Sequence, residues 1–221
     1  MNLFKSIKED KKLVVFDFDG VLVDSVNIKT KAFGLMYKEY GSDVVDKVQQ
    51  HHVENGGMSR FHKFKHYHKI FLGKSLDEDD IQMMSNKFSD LVVSQVVSSK
   101  WIPGAENFLQ LLHKNHMNCV IVSATPQSEI ELIIEKRNMN KYFSNIYGSP
   151  DSKSNNLTMA LKKNSITSDE AVFFGDALAD WQAAGKINIP FIGVGQAIRD
   201  LVMDNDESSI FIDNFEEIKD V

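Results

Sequence analysis

The chain has 221 residues, 43% hydrophobic and 25% charged, which suits a globular protein with a full core and room for a second, smaller unit. A formal charge of −6 argues against a nucleic-acid partner, because phosphate backbones reward clustered Lys and Arg. A single cysteine, Cys119, excludes an internal disulfide and suits a reducing compartment. Its setting, Cys119-Val120-Ile121-Val122, reads as a small buried side chain and not as a reactive thiol. Met1 to Lys12 is too charged for the apolar part of a signal peptide, and no run approaches a bilayer-spanning length. The expectation is a cytoplasmic protein, monomer or homodimer, with no membrane partner.

The apolar run Leu13-Val14-Val15-Phe16 predicts a short buried strand. Asp17-Phe18-Asp19-Gly20-Val21-Leu22-Val23-Asp24-Ser25 follows it directly. Two carboxylates one residue apart at a strand end repel and lose hydration, so a fold keeps them where a cation or a reaction uses them. Gly20 allows a sharp turn. Helical patterns come next: Val26 to Tyr40, stopped at Gly41; a weaker one from Asp43 to Val53; one capped by Ser59 and running to Leu72; and one capped by Ser75. The third would carry Phe61, Phe64, His68 and Phe71 on its inner stripe; the fourth carries Ile81, Met84, Phe88, Leu91, Val92 and Gln95.

Trp101-Ile102-Pro103-Gly104 ends that block, and strands then alternate with helices. Helices are expected at Ala105 to Asn115, Pro126 to Arg137, Ser154 to Lys163 and Asp180 to Lys186. Strands are expected at Cys119 to Val122, Asn145 to Tyr147, Ala171 to Phe174 and Pro190 to Val194. Such alternation implies a parallel sheet covered on both faces. The fold class is therefore α/β, with residues 1–23 and 100–221 forming the sheet domain and residues 24–99 inserted as a helical domain.

In open parallel sheets ligands bind beyond the carboxyl ends of the strands. Those ends carry Asp17 and Asp19, then Ser123-Ala124-Thr125, then Gly175-Asp176-Ala177-Leu178-Ala179-Asp180, with Lys153 in the loop before the intervening helix. Carboxylates, a hydroxyl and an ammonium in this order resemble the four motifs of the haloacid dehalogenase superfamily over nearly the whole chain. The insertion resembles the helical cap of the branch with phosphoglycolate phosphatases and β-phosphoglucomutases. The resemblance implies a Rossmann-like core, a mobile cap and magnesium-dependent phosphoryl transfer through an aspartyl-phosphate.

On that resemblance Asp17 is the nucleophile, Asp19 the acid and base, Ser123 a phosphoryl ligand and Lys153 the neutralising cation. Magnesium would be held by Asp17, the carbonyl of Asp19 and Asp176, with Asp180 a ligand or one shell out. Gly57, Arg60, Ser123 and Ala124 are the substrate-facing positions, and the substrate is a small phosphorylated metabolite, a sugar phosphate or phospho-acid. Three departures from the family pattern, Ser154 after the lysine, Ala177 after Asp176 and Ala124 after Ser123, remove secondary hydrogen bonds and leave the principal groups in place.

Residues 55–76 hold no acid, yet contain Arg60, Lys63, Lys65, Lys69 and Lys74; His51, His52, His62, His66 and His68 lie in or beside the stretch. It reads either as an anion-attracting face over the substrate or as a solvated helix surface. Gly56-Gly57-Met58-Ser59-Arg60 matches the family's specificity loop, where Arg60 could fork onto a carboxylate or a second phosphate. His62 and His66 are four apart, but without an adjacent acid or cysteine a zinc site does not follow. Two alternatives to a phosphatase stay open: a phosphomutase of the β-phosphoglucomutase type, and a non-catalytic phospho-ligand binding protein on the same scaffold.

Overall fold

The computed structural model describes residues 3–203 and 209–219. In chain order the helices are α1 (Leu3–Asp10), α2 (Val26–Met36), α3 (Ser42–Glu54), α4 (Arg60–His66), α5 (Glu78–Ser98), α6 (Ala105–Lys114), α7 (Gln127–Lys136), α8 (Lys153–Asn164), α9 (Leu178–Lys186) and α10 (Gln196–Val202). The strands are β1 (Leu13–Phe16), β2 (Asn118–Pro126), β3 (Asn145–Ser149), β4 (Ala171–Gly175), β5 (Phe191–Val194) and β6 (Ile210–Ile212). They form one parallel sheet in the order β3-β2-β1-β4-β5-β6. Among the described residues no helix is long and apolar enough to cross a membrane.

β1 is flanked on both edges, Leu13 lying opposite Asn118 of β2 and Ala171 of β4. Both of its faces are covered as well, which is why four apolar residues run without alternation. Val14 and Phe16 enter one apolar cluster, Leu13 and Val15 the other. Phe16 stacks on Phe174 of β4 at 5.1 Å and meets Phe108 of α6 edge-on at 6.1 Å. A fully buried side chain of this size contributes roughly 1.5–3 kcal/mol. The chain goes from β1 to β2 on one side and later returns to β4 on the other, so β1 and β4 flank the switch point where this topology places ligands.

The insertion leaves and rejoins the sheet through paired backbone. Asp24 N–H donates to Lys100 O at 2.9 Å, and Ile102 N–H to Leu22 O at 3.0 Å. Its inner side is aromatic: Phe33 of α2 lies 4.4 Å from Phe88 of α5 and 5.7 Å from Phe64 of α4, ring centre to ring centre. These rings join the cluster on the Phe16 face of the sheet.

Several expectations change in detail. Asp77, not Ser75, caps α5: its carboxylate accepts from Asp80 N–H at 2.8 Å, and the Asp80 carboxylate accepts from Asp77 N–H. This reciprocal box starts the helix inside the acidic cluster, where carboxylates suit the positive helix end. The third helix of this stretch keeps α-helical form only to His66 and continues through a π turn over Tyr67–Phe71, which widens the helix while burying Tyr67 and His68. Phe64 and His68 are buried on its inner stripe, whereas Phe61 and Phe71 are only half-buried. Lys153 opens α8 instead of lying in a loop, because Ser152 accepts from Asn155 N–H and caps the helix one residue earlier. The elements α1, α10 and β6 were not expected. Each is short, and α1 buries only Phe4 and Ile7 among charged neighbours.

Candidate active site

Asp17 continues the line of β1. Its N–H donates to Phe174 O at 2.9 Å, fixing the residue at the sheet end, and its Oδ1 accepts from Phe18 N–H at 2.7 Å. Lys153 Nζ lies 2.7 Å from Asp17 Oδ2 and also donates to Asp180 Oδ1. Asp180, fully buried at the start of α9, accepts from Ala177 N–H with its other oxygen. Gly20 holds φ +80°, and a Cβ there would meet Asp176 Oδ2 at 2.0 Å. Glycine is needed twice over, for the turn and for the space the Asp176 carboxylate occupies.

One carboxylate oxygen from each of Asp17, Asp176 and Asp180 lies within 4.8 Å of the others. Burial pushes Asp17 up to about 7 against the pull of Lys153, with Asp180 and Asp19 adding to the rise. Asp176 is raised well above the usual carboxylate range by burial, then by Asp17 and Asp180. Burial works against the Lys153 ammonium, yet Asp17 and Asp180 hold its pKa above that of a free lysine. Asp17 and Asp180 share Lys153, and among the described residues no hydrogen-bond donor reaches the Asp176 carboxylate. Hard oxygen donors with uncompensated charge fit a divalent cation. Asp180, with both oxygens already held by the chain, suits the outer position better than Asp176 does.

Asp19 sits in a separate net. Ser25 Oγ donates to its Oδ1 at 2.6 Å, and Thr125 Oγ1 donates to its Oδ2 at 3.0 Å. Lys29 Nζ donates to the same Oδ2 and lies 2.8 Å from Thr125 Oγ1. Burial alone would raise the Asp19 pKa, but the Lys29 charge and these hydrogen bonds together bring it below the usual value. Ser25 precedes α2 without capping it, its hydroxyl being committed to Asp19. Ser123 is buried, its Oγ accepting from Thr125 N–H at 3.1 Å, where β2 loses register with β3 between Val122 and Pro126.

The loop between α3 and α4 lies against these strand ends. Gly57 holds φ +74°, and a Cβ there would lie 3.1 Å from Ala179 Cβ and 3.4 Å from Lys153 Nζ. Ala177 and Ala179 are thus the surface on which this loop rests. A cavity of about 200 Å³ opens between the two parts, lined by Asp17, Asp19, Asp176, Ala124, Gly57, Arg60 and Lys63 among others. Arg60 is buried with its guanidinium forked onto Glu129 of α7: Nη1 lies 2.8 Å from Oε2, and Nη2 donates to Oε1. Nη1 also donates to Ser89 Oγ at 2.9 Å.

The structure therefore brings Asp17, Lys153, Asp176 and Asp180 into direct contact or close approach, with Asp19 next to them in a net of its own. His62 and His66 do not converge on a site: His62 pairs with Ser59 at 2.8 Å, while His66 stacks on His51 at 4.2 Å. Cys119 is buried, its thiol pushed up to about 12 by burial. Lys29 and Thr125 were not singled out from sequence. Thr125 carried a signal all the same, being the second hydroxyl at the end of a strand already identified.

A family model described as haloacid dehalogenase-like hydrolase matches residues 14–194. The chain belongs to this family of enzymes. It is 26% identical over 185 residues to "Phosphoglycolate phosphatase" of Aliivibrio fischeri, covering 80% of each chain. It is 25% identical over 204 residues to the protein of the same name from Vibrio parahaemolyticus, covering 85% of each. Among solved structures it superposes on β-phosphoglucomutase from Clostridium difficile with a TM-score of 0.76 at 19% identity, covering 95% of this chain and 93% of that one. A family IA hydrolase from Entamoeba histolytica gives a TM-score of 0.77 at 18% identity, covering 94% and 95%. At these identities the structural matches establish the fold: a Rossmann-like α/β core of the haloacid dehalogenase type.

Proposed function

We propose that this haloacid dehalogenase-like phosphatase hydrolyses a small phosphorylated metabolite through a phosphoryl-aspartate on Asp17, with magnesium as its metal. The observation that carries the reading is the meeting of Asp17, Asp176 and Asp180 within 4.8 Å around Lys153 at the switch point of the sheet. The curated relatives named as phosphoglycolate phosphatases support a phospho-acid as the substrate class. Residues 24–99 act as the cap, and the backbone pairing of residues 22–24 with 100–102 supports that division.

In this reading a carboxylate oxygen of Asp17 attacks phosphorus in line, and the bond to the leaving oxygen breaks as that oxygen takes a proton from Asp19. Asp19 then takes a proton from water, whose oxygen attacks phosphorus and releases Asp17. Lys29 keeps Asp19 in its charged form, which suits the second step; the first draws on the protonated fraction that Lys29 keeps small. Lys153 neutralises charge on the transferring group, and Ser123 with the backbone N–H groups around Ala124 binds phosphoryl oxygens. Asp17, the Asp19 carbonyl and Asp176, with Asp180 one shell out, would hold magnesium, which would supply the charge neutralisation that an anionic nucleophile needs to approach an anionic phosphate. Gly57 brings the cap loop close to Lys153, and Arg60 lines the same cavity while tethered to Glu129.

The test is phosphate release from a panel of phosphorylated metabolites, with magnesium or EDTA, for the native chain and Asp17→Asn. Release that needs magnesium and falls by about 10³-fold or more in Asp17→Asn is the expected result. Release that survives either change overturns the mechanism. Trapping of a bisphosphate with no net release turns the reading to a mutase.

A further inference from the structure

Among the described residues, every cation that lines the cavity has an acidic partner except one. Lys29 is paired with Asp19, and Arg60 with Glu129. Lys63, three residues beyond Arg60 and one turn along α4, is only 2% exposed, and no carboxylate pairs with it among the described residues. Glu54, the acid on the same cavity wall, is exposed and bonded to Gln50. The Lys63 ammonium is held by His52 alone: Nζ lies 2.7 Å from His52 Nδ1 and 3.3 Å from His52 O, with the Phe33 ring centre 5.7 Å away. An ammonium has three N–H donors, and this one uses two on the protein.

A buried cation without an anion is costly, and folds keep one where something else brings the opposite charge. The cost is visible in the pair itself. Burial, followed by Lys29 and Lys153, brings Lys63 down to about 7, and His52 is driven down to about 2, so it remains a neutral acceptor. The partner must come through the cavity, whose other end is the phosphoryl site at Asp17. Arg60, at the position expected to grip a second anion, already spends its fork on Glu129.

The geometry points to Lys63 as the residue that binds a second anionic group of the substrate, a carboxylate or a second phosphate distal to the phosphoryl group that is cleaved. This rests on the phosphatase reading for the place of the phosphoryl group, and it names the substrate class as phosphomonoesters that carry a second anionic group. His52 positions the ammonium, and the remaining N–H makes a charge-assisted hydrogen bond to the distal anion.

Binding can be read without turnover. Calorimetry on Asp17→Asn, with and without Lys63→Met or Lys63→Gln, uses phosphoglycolate for the carboxylate, glucose 1,6-bisphosphate for the second phosphate and p-nitrophenyl phosphate as an ester with neither. In both double variants the loss of affinity on at least one ligand with a second anionic group should exceed the loss on p-nitrophenyl phosphate by about 10- to 100-fold. Which of the two ligands suffers identifies the source of the anion. Equal losses on all three, or none, overturn the assignment. The phosphatase reading fails separately, by absence of magnesium-dependent release from the native chain, and the binding comparison stands whether or not release is seen.

Discussion

The Arg60 guanidinium and the Glu129 carboxylate form a forked ion pair, each residue about 5% exposed, between α4, in the helical stretch that follows β1, and α7, which follows β2. Phe88 covers the pair from one side, with the Arg60 guanidinium carbon 4.5 Å from its ring centre. A pair this dry gains little over a hydrophobic match, but removing one partner strands a charge and costs about 3–5 kcal/mol. Glu129→Gln should therefore lower the urea midpoint sharply, whereas Arg60→Met with Glu129→Leu should recover most of the loss. If Glu129→Gln leaves the midpoint unchanged, the pair is not what ties the insertion to α7.

Among the described residues, Lys153 is the cation that meets the carboxylate cluster of Asp17, Asp176 and Asp180. Lys153→Met should destabilise the protein in EDTA by about 3 kcal/mol, or roughly 6–12 °C in Tm. Magnesium should return part of that loss and a smaller increment to the native chain. A thermal melt of the variant that ignores magnesium would count against a metal held by these carboxylates.

Gly20 carries both a left-handed backbone and the space filled by Asp176 Oδ2. Gly20→Ala adds about 1–2 kcal/mol of backbone strain and displaces that carboxylate. The variant should still fold, bind magnesium more than about tenfold less tightly by calorimetry, and lose phosphate release to match. Native affinity in a folded Gly20→Ala protein would remove Asp176 from the ligand set.

His52 is buried as the neutral ring, pushed down to about 2 by burial and then by Lys63 and Lys29. The unfolded chain takes up this proton near pH 6.5, and the folded chain refuses it until about pH 2. Stability is thus intact above the unfolded value and falls as pH drops through that window, by up to about 2 kcal/mol between pH 7 and pH 5. Urea titrations should show this slope in the native protein and a shallower one in His52→Gln. Identical slopes would place the pH dependence elsewhere.

Much of the molecule is written locally. The uninterrupted Leu13–Phe16 run announces a strand buried on both faces, and the acids after it announce the strand end that bears chemistry. Alternating strands and helices then give the parallel sheet, and the order of carboxylate, hydroxyl, lysine and carboxylates marks the site along the chain. Cap residues and short elements are less legible. Ser75 and Asp77 are both acceptable caps by type, and only the reciprocal bonds with Asp80 choose between them.

What the chain could not announce is which charges cancel. Arg60 and Lys63 are both basic residues of one acid-free stretch, and type and spacing treat them alike. Folding brings Glu129, far along the chain, against Arg60 and leaves Lys63 with a neutral histidine. The same holds for Lys29 and Thr125, which meet Asp19 only when α2 and β2 converge on the end of β1. Local sequence determines backbone pattern and the kinds of groups available, because propensity and burial act over a few residues. The pairing of charges depends on distances set by the whole packing, so the tertiary structure alone decided which cation is left facing the cavity.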